Sequence, residues 1–363
     1  MSNEDKCPWQ EATEDADEGG CIDLRLRVRS PADVVAAIPY LMGFHPRDSL
    51  VLVCTRAEDA RRIAFTSRVD LPPPDNVPAM AQHLAGIVAD NGCDEVLIVV
   101  IGGGILTDQP PRSDVVAAMS EACASVGVGV WTSVWVSELR AKAPWRRYGA
   151  CGGGGSLPDP ATSPVAAAAV AAGQVTYADR SDLERLVAPA DPEALRRRSA
   201  LLDAQCEQLD DCGEFAGGYA SMETVRAWVE RAASDHFCLG DDDVVELCLA
   251  LCDPIVRDAG FGFASGPYAA AAERLWTALV QQSPDPDAAE AAVLLAHCAL
   301  LRGNGALAGI ALERAQQAWP THRLSVMFQS ALDSGLGPDE LRAWFEEGVK
   351  HAHAVLRQRG ELC

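Results

Sequence analysis

The order of apolar and polar residues changes character once along this chain. Between residues 21 and 139 short apolar runs alternate with stretches of helical spacing, and from residue 164 onward only helical spacing is left. Ile22, Leu24, Leu26 and Val28 alternate with Asp23, Arg25, Arg27 and Arg29, the period of a strand with one wet face. Ser30 is placed to cap a helix with Pro31 and Asp33 in its first turn and a stop near Gly43. Residues 50–54 are apolar on both faces, as in a central strand. Residues 63–71 return after a polar loop and end at Pro72-Pro73-Pro74, so the two runs predict an antiparallel pair. Met80, Leu84, Ile87 and Val88 predict a helix over 78–91 that Asn91-Gly92 ends in left-handed backbone. A buried strand over 96–101, a helix over 113–126 and a strand over 128–139 complete the series.

Beyond residue 164 helices are expected over 165–172, 181–187, 192–209, 222–233, 242–253 and 267–282. Residues 288–301 and 306–318 flank a tight Arg302-Gly303-Asn304-Gly305 turn and form a helix hairpin. In it Leu295, Ala296, Ala308, Leu312, Ala315 and Pro320 match the small and apolar positions of a tetratricopeptide unit. Alanines replace the usual aromatic positions of that repeat. Pro286 precedes Pro320 by one repeat length, and 324–334 with 338–349 offer a further pair. The expected architecture is an α/β N-terminal domain with a mixed sheet covered by helices, followed by an all-α domain with tetratricopeptide-like hairpins. Its boundaries are a disordered acidic tail over 1–20, the α/β domain over 21–160, the helical domain over 161–350 and a flexible C-terminus over 351–363.

Length and charge narrow the function. The 363 residues favour two domains. A net charge of -22 repels phosphate backbones and predicts no nucleic-acid partner. No apolar run reaches the length of a membrane span, so no membrane partner is expected either. The 13 cysteines are odd in number, and Cys54, Cys248, Cys252 and Cys298 sit in apolar patterns, which predicts free buried thiols and a cytoplasmic location. The pairs His236/Cys238, Cys248/Cys252 and His351/His353 lack the spacing of a metal cage, so no metal and no cofactor are expected.

Two glycine runs and one turn carry the candidate chemistry. Gly102-Gly103-Gly104 follows a buried strand, where open α/β sheets place phosphate loops. The G-x-G-x-x-G pattern fails at its third glycine and no Lys-Ser/Thr pair follows, which favours a plain turn. Gly152 to Gly155 follow Trp145, Arg146, Arg147, Tyr148 and Cys151; they read as a mobile loop at the domain junction. The sharper reading is a loop closing over an anion that Arg146 or Arg147 meets while Trp145 or Tyr148 stacks on it. A thiol nucleophile at Cys151 would need a base, and no histidine lies near it in sequence. The first helix and its turn supply Asp33, Tyr40, His45, Arg47 and Asp48, and the strand over 63–71 supplies Arg68 and Asp70. Asp33 reads as a first-turn carboxylate and Tyr40 as a core aromatic, whereas His45 and Arg47 are expected to be exposed together.

The helix, turn and strand of residues 30–53, together with Trp145, Tyr148 and Cys151, resemble an actinobacterial family catalogued as domain of unknown function 4192. The resemblance runs from about Leu24 to about Gly337 and takes in Arg274-Leu275-Trp276 and residues 301–308. It implies a Phe-x-Pro-x-Asp-Ser turn, met here by Phe44 to Ser49, and a cysteine-containing, proline-rich loop after Tyr148, of which this chain keeps Cys151 and has glycines in place of further cysteines. It implies no activity. The expectation is therefore a non-catalytic protein-interaction or regulatory module with a protein partner, for which the acidic surface favours a basic one, and homo-oligomer formation is compatible with it. The alternative is an α/β enzyme or sensor that holds a small anionic or nucleotide-like ligand near the glycine-rich loop.

Overall fold

The computed structural model describes residues 30–56, 62–149, 152–171, 175–212, 218–234, 237–334 and 338–359. The acidic stretch over 1–20, the strand expected over 21–29 and Cys151 lie outside these. The chain divides into two compact units near residue 182.

The first unit is built on a six-stranded mixed sheet. Its opening helix, α1 (Pro31–Met42), starts as the sequence requires: the Ser30 side chain accepts from the Asp33 amide at 3.3 Å, and Gly43 ends the helix at φ 75°. Strand β1 (Ser49–Arg56) pairs antiparallel with β2 (Arg62–Asp70) on one side and with β3 (Glu95–Ile101) on the other. Between them α2 (Val77–Asp90) covers one face. From β3 the chain crosses through α3 (Ser113–Ser125) to β4 (Gly129–Val136), the one parallel pair in the order β2-β1-β3-β4. A parallel pair needs such a crossover, whereas the antiparallel neighbours do not.

Two short strands extend the sheet where a loop was expected. Strand β5 (Pro144–Arg147) pairs with β4, and β6 (Gly154–Ser156) closes the order at the far edge. The glycine run is thus partly an edge strand: a Cβ on Gly154 would sit 2.4 Å from the Trp145 carbonyl oxygen, so only glycine brings the backbone that close. Leu50, Leu52, Val96, Ile98, Val100 and Trp135 pack one sheet face against α2 and α3. Val53 and Leu97 meet Val34 of α1 on the other. Helix α4 (Pro164–Ala171) packs on α1 in turn, which leaves α1 buried on nearly every side. For that reason the boundary expected at residue 160 lies near 182 instead.

The second unit is helical. It contains α5 (Arg180–Leu186) at the boundary, then α6 (Pro192–Cys212), α7 (Gly218–Arg231), α8 (Asp241–Leu251) and α9 (Pro254–Gly260). Next come α10 (Ala269–Gln282), α11 (Ala288–Leu301), α12 (Gly305–Ala318), α13 (Arg323–Asp333) and α14 (Pro338–Gln358). Helix α11 is apolar all round and is accordingly central, packed by α10 and α12. The C-terminus expected to be flexible from residue 351 continues α14 to Gln358, because Ala352 and Leu356 keep the helical spacing and are buried, and Arg359 donates to Asp253 at 2.8 Å.

Candidate functional site

His45, Arg47, Asp48, Arg68 and Asp70 lie at the end of the sheet where β1 begins and β2 and β3 end. Asp48 adopts φ 41°, a left-handed conformation that Asp tolerates better than most residues. Its Oδ1 accepts from the Gly103 amide at 2.8 Å, and its carbonyl accepts from the Leu71 amide at 2.9 Å. Gly102 and Gly103 answer with φ of 68° and 71°, and a Cβ on Gly102 would lie 2.5 Å from Asp48 Oδ1. Left-handed glycine turns of this kind cradle anions. Here the anion is internal: the Gly103 amide serves Asp48, and the Gly102 amide donates to the Val136 carbonyl at 2.9 Å.

The neighbouring polar side chains are held in the same way. Ser49 is fully buried; its hydroxyl donates to the Arg47 carbonyl at 2.6 Å and accepts from Arg68 Nε at 2.9 Å. Arg68 also pairs with Asp70 and lies 5.9 Å from the centre of the Phe44 ring. The His45 Nδ1 lies 3.1 Å from the Leu139 carbonyl oxygen, and the His45 amide donates to the Tyr177 carbonyl at 3.2 Å. Arg47 is exposed beside Asp179, whose carboxyl the Ser181 hydroxyl holds below its ordinary range with a further contribution from Arg47. Asp33 is exposed on the first turn of α1, and the half-buried Tyr40 has its hydroxyl pushed up by desolvation and by nearby Asp159.

The second group, Trp145 to Tyr148, does not form a clamp. Arg146 stands opposite Trp135 and Arg147 opposite Val134 across β4 and β5, so the two guanidiniums leave opposite faces of the sheet. Arg68, Val51, Val99, Val134 and Arg147 occupy one register row, with Arg68 and Arg147 at its ends. At ~4.8 Å per strand they are about 19 Å apart, too far to share one ion. The Tyr148 hydroxyl donates to the Pro111 carbonyl at 2.6 Å, its ring packs on the core, and burial raises its pKa well above the ordinary value. Two residues that the sequence reading passed over complete this end of the sheet. Trp135 Nε1 donates to the Gly102 carbonyl at 2.7 Å, and Arg112 reaches back to the Pro72 carbonyl at 2.8 Å. Only the alternation over β4 hinted at Trp135; nothing local marked Arg112. The hollow between α1 and the sheet, lined by Val34, Val53, Leu97 and Trp131, measures about 20 Å³, room for little more than one water.

The helical unit holds a cluster that the sequence did not show. Glu290 of α11 accepts from Arg257 Nη1 at 3.2 Å and stands 3.3 Å from His322 Nε2. Burial pushes the Glu290 carboxyl up, yet His322 and Arg257 outweigh it and hold it below the ordinary range. The Ser325 amide donates to His322 Nδ1 at 3.2 Å, which leaves Nε2 as the protonated nitrogen facing Glu290. The Ser325 hydroxyl donates to the His322 carbonyl rather than to its ring, so the three residues are not a nucleophilic triad. The thiols of Cys54, Cys93, Cys123, Cys248 and Cys298 are free and buried. Among the described residues no group of three or more His, Cys, Asp or Glu could hold a metal ion, and no helix is long and apolar enough to cross a membrane.

A family model described as a domain of unknown function (DUF4192) matches residues 31–339. No curated protein matches the chain, and no solved structure does.

Proposed function

The chain belongs to the DUF4192 family, a membership that prescribes no chemistry, and on the geometry we propose that it is a cytoplasmic, non-catalytic protein-interaction or regulatory module. The observation that carries this reading is the fate of the polar residues at the sheet end. Asp48, Ser49, Arg68, His45 and Tyr148 each contact a backbone group or a neighbouring side chain of the same unit. A reaction centre needs an acid, a base or a nucleophile left unengaged beside space for a substrate. The five residues named are engaged in this way, which favours a module over a reaction centre.

The docking face in this reading belongs to the helical unit. The hairpin of α11 and α12 buries Leu295, Ala296, Ala308, Leu312 and Ala315, the positions a tetratricopeptide-like unit would bury. Helices α13 and α14 meet through Phe328 and Phe345, whose ring centres are 5.0 Å apart. The residues next to these rings, Met327 and Trp344, are 51% and 53% exposed. Large exposed apolar side chains of this kind anchor partner proteins, and the acidic surface favours a partner of basic character.

Affinity purification of the full chain, compared with a Met327→Ala/Trp344→Ala variant, tests the proposal. The expected result is a stoichiometric partner retained by the parent chain and lost from the variant, with unchanged melting of the variant. A partner held equally by both would remove this face from consideration. Turnover of a metabolite by the purified chain would overturn the module reading itself.

A further inference from the structure

At the end of the sheet away from Asp48, two thiols meet. Cys54 is the last buried residue of β1, and Cys93 comes three residues before Val96, the Cα partner of Cys54 in β3. The Asp94 amide donates to the Thr55 carbonyl at 3.1 Å and the Cys93 amide to the Val88 carbonyl at 3.2 Å, so the turn after α2 is tied to β1 and to the helix it leaves. Both cysteines belong to the core beneath α2 and α3, and their thiols hydrogen-bond each other. The two sulfurs are in direct contact.

They are not equivalent. Cys54 has no exposed surface, whereas Cys93 keeps 4% of its own and lies between the exposed Gly92 and Asp94, so a small reagent meets Cys93 first. The exposed Arg56 stands beside it: Arg56 Nη2 donates to the Asn91 carbonyl at 3.1 Å, and Cys93 Sγ is 3.8 Å from the same oxygen. The hydrogen bond from Cys54, and after it the Arg56 guanidinium, favour the Cys93 thiolate and hold its pKa below the ordinary value, against the opposing effects of burial and Asp94. The same hydrogen bond, with burial, pushes the Cys54 thiol up. Cys93 is thus the nucleophile of the pair and Cys54 the proton-bearing partner behind it.

We propose that Cys93 and Cys54 form a reversible modification site, which a hydroperoxide oxidises to a disulfide. The Cys93 thiolate attacks a peroxide oxygen; the S–O bond forms, the O–O bond breaks, and the departing hydroxide takes the Cys54 proton as water. The Cys54 thiolate then attacks the sulfur of the Cys93 sulfenic acid. The S–S bond forms, the S–O bond breaks, and the second hydroxide takes the proton that Cys93 had released. The two sulfurs are oxidised, the peroxide is reduced to two waters, and a dithiol reverses the bond by exchange. The disulfide clamps the turn after α2 to the end of β1. The inference is independent of the interaction reading, since the thiol pair and the Met327/Trp344 face use different residues.

Peptide mass spectrometry of the full chain decides it, after treatment with hydrogen peroxide at neutral pH and alkylation of the thiols that remain. A linked peptide pair carrying Cys54 and Cys93 is expected, lost again with dithiothreitol. Cys123 of the same core, whose thiol burial pushes up to about 11, should stay reduced. Cys54→Ala should leave Cys93 as a sulfenic acid that dimedone traps. Arg56→Ala should slow the linkage roughly threefold, because fewer thiolates are partly offset by a stronger nucleophile, and Arg56→Lys should restore most of the rate. The exposed Cys238 serves as the internal clock. The proposal is overturned if Cys54 and Cys93 both remain alkylatable once Cys238 is fully oxidised, or if Cys54 is linked to Cys123 instead. Equal rates in all three Arg56 forms would overturn the assignment of Cys93 as the attacking thiol.

Discussion

Asp48 joins two parts of the sheet end that lie far apart in sequence: its carboxylate meets the Gly103 amide and its carbonyl meets the Leu71 amide. Replacement by Asn keeps an acceptor and a residue that tolerates positive φ, whereas Ala keeps neither. Asp48→Ala is therefore expected to cost about 0.5–1.5 kcal/mol, the net worth of one hydrogen bond near solvent, and Asp48→Asn distinctly less. Urea unfolding of the two variants checks the order; equal losses would show that the carboxylate is not what holds the glycine turn. Gly102→Ala attacks the same contact from the other side, with a Cβ 2.5 Å from Asp48 Oδ1 at φ 68°. A loss of at least ~1 kcal/mol is expected from the left-handed backbone alone. In an Asp48→Ala background part of the Gly102→Ala penalty should disappear, since the clash partner is gone. The sequence announced glycines after a buried strand. It could not announce that their anion comes from the chain itself, because that depends on the antiparallel placement of Ser49 opposite Ile101.

At the scale of elements, legibility followed length and periodicity. Strands β1 and β3 and helices α1 to α3 were readable because each carries a full apolar period and its own stop signal, as Gly43 does for α1 and Gly92 for α2. Strands β5 and β6 were not. They span four and three residues, too few to show alternation, and pairing with β4 is what makes them strands. The same pairing separates Arg146 from Arg147, which adjacency in the sequence had suggested as a joint clamp. The end of α14 was missed for a related reason: past Val349 only Ala352 and Leu356 mark the buried stripe, among charged neighbours. Leu356 is fully buried, so Leu356→Ala should cost ~2–5 kcal/mol, as core leucine truncations do. Guanidinium unfolding measures this. A loss under ~0.5 kcal/mol, the surface range, would mean that the last turns of α14 are not packed as described.

The whole molecule answers to acid through groups that its fold keeps uncharged. His297 sits in α11 between Phe261 and Phe345, with ring centres 5.1 and 4.2 Å away. Burial first, and the charge of Arg342 second, push its pKa down to about 3 from the ordinary 6.5. The unfolded chain therefore takes up a proton near pH 6.5 that the folded chain refuses until about pH 3. Stability is full above the unfolded value and falls through that window. His353, lowered chiefly by burial, acts in the same direction, while Glu290 is lowered from 4.5 and contributes only in more acid solution. Between about pH 7.5 and about pH 5.5 the His297 share of the loss is roughly 1.4 kcal/mol. One effect opposes it: with a net charge of -22 the folded chain repels itself less as pH falls toward its pI near 4.6. Those charges lie mostly in water, where ~0.15 M salt screens them beyond about 8 Å, whereas the buried imidazole is scarcely screened. The histidine effect should therefore win at physiological ionic strength and more clearly at higher salt. Denaturant unfolding of the full chain at the two pH values, compared with His297→Phe, isolates it. The variant should lose the His297 share, roughly 1.4 kcal/mol between the two pH values, whatever its absolute stability, because it removes a proton that only the unfolded state accepts. An unchanged slope would mean that the ring in α11 is reached by water in the folded protein.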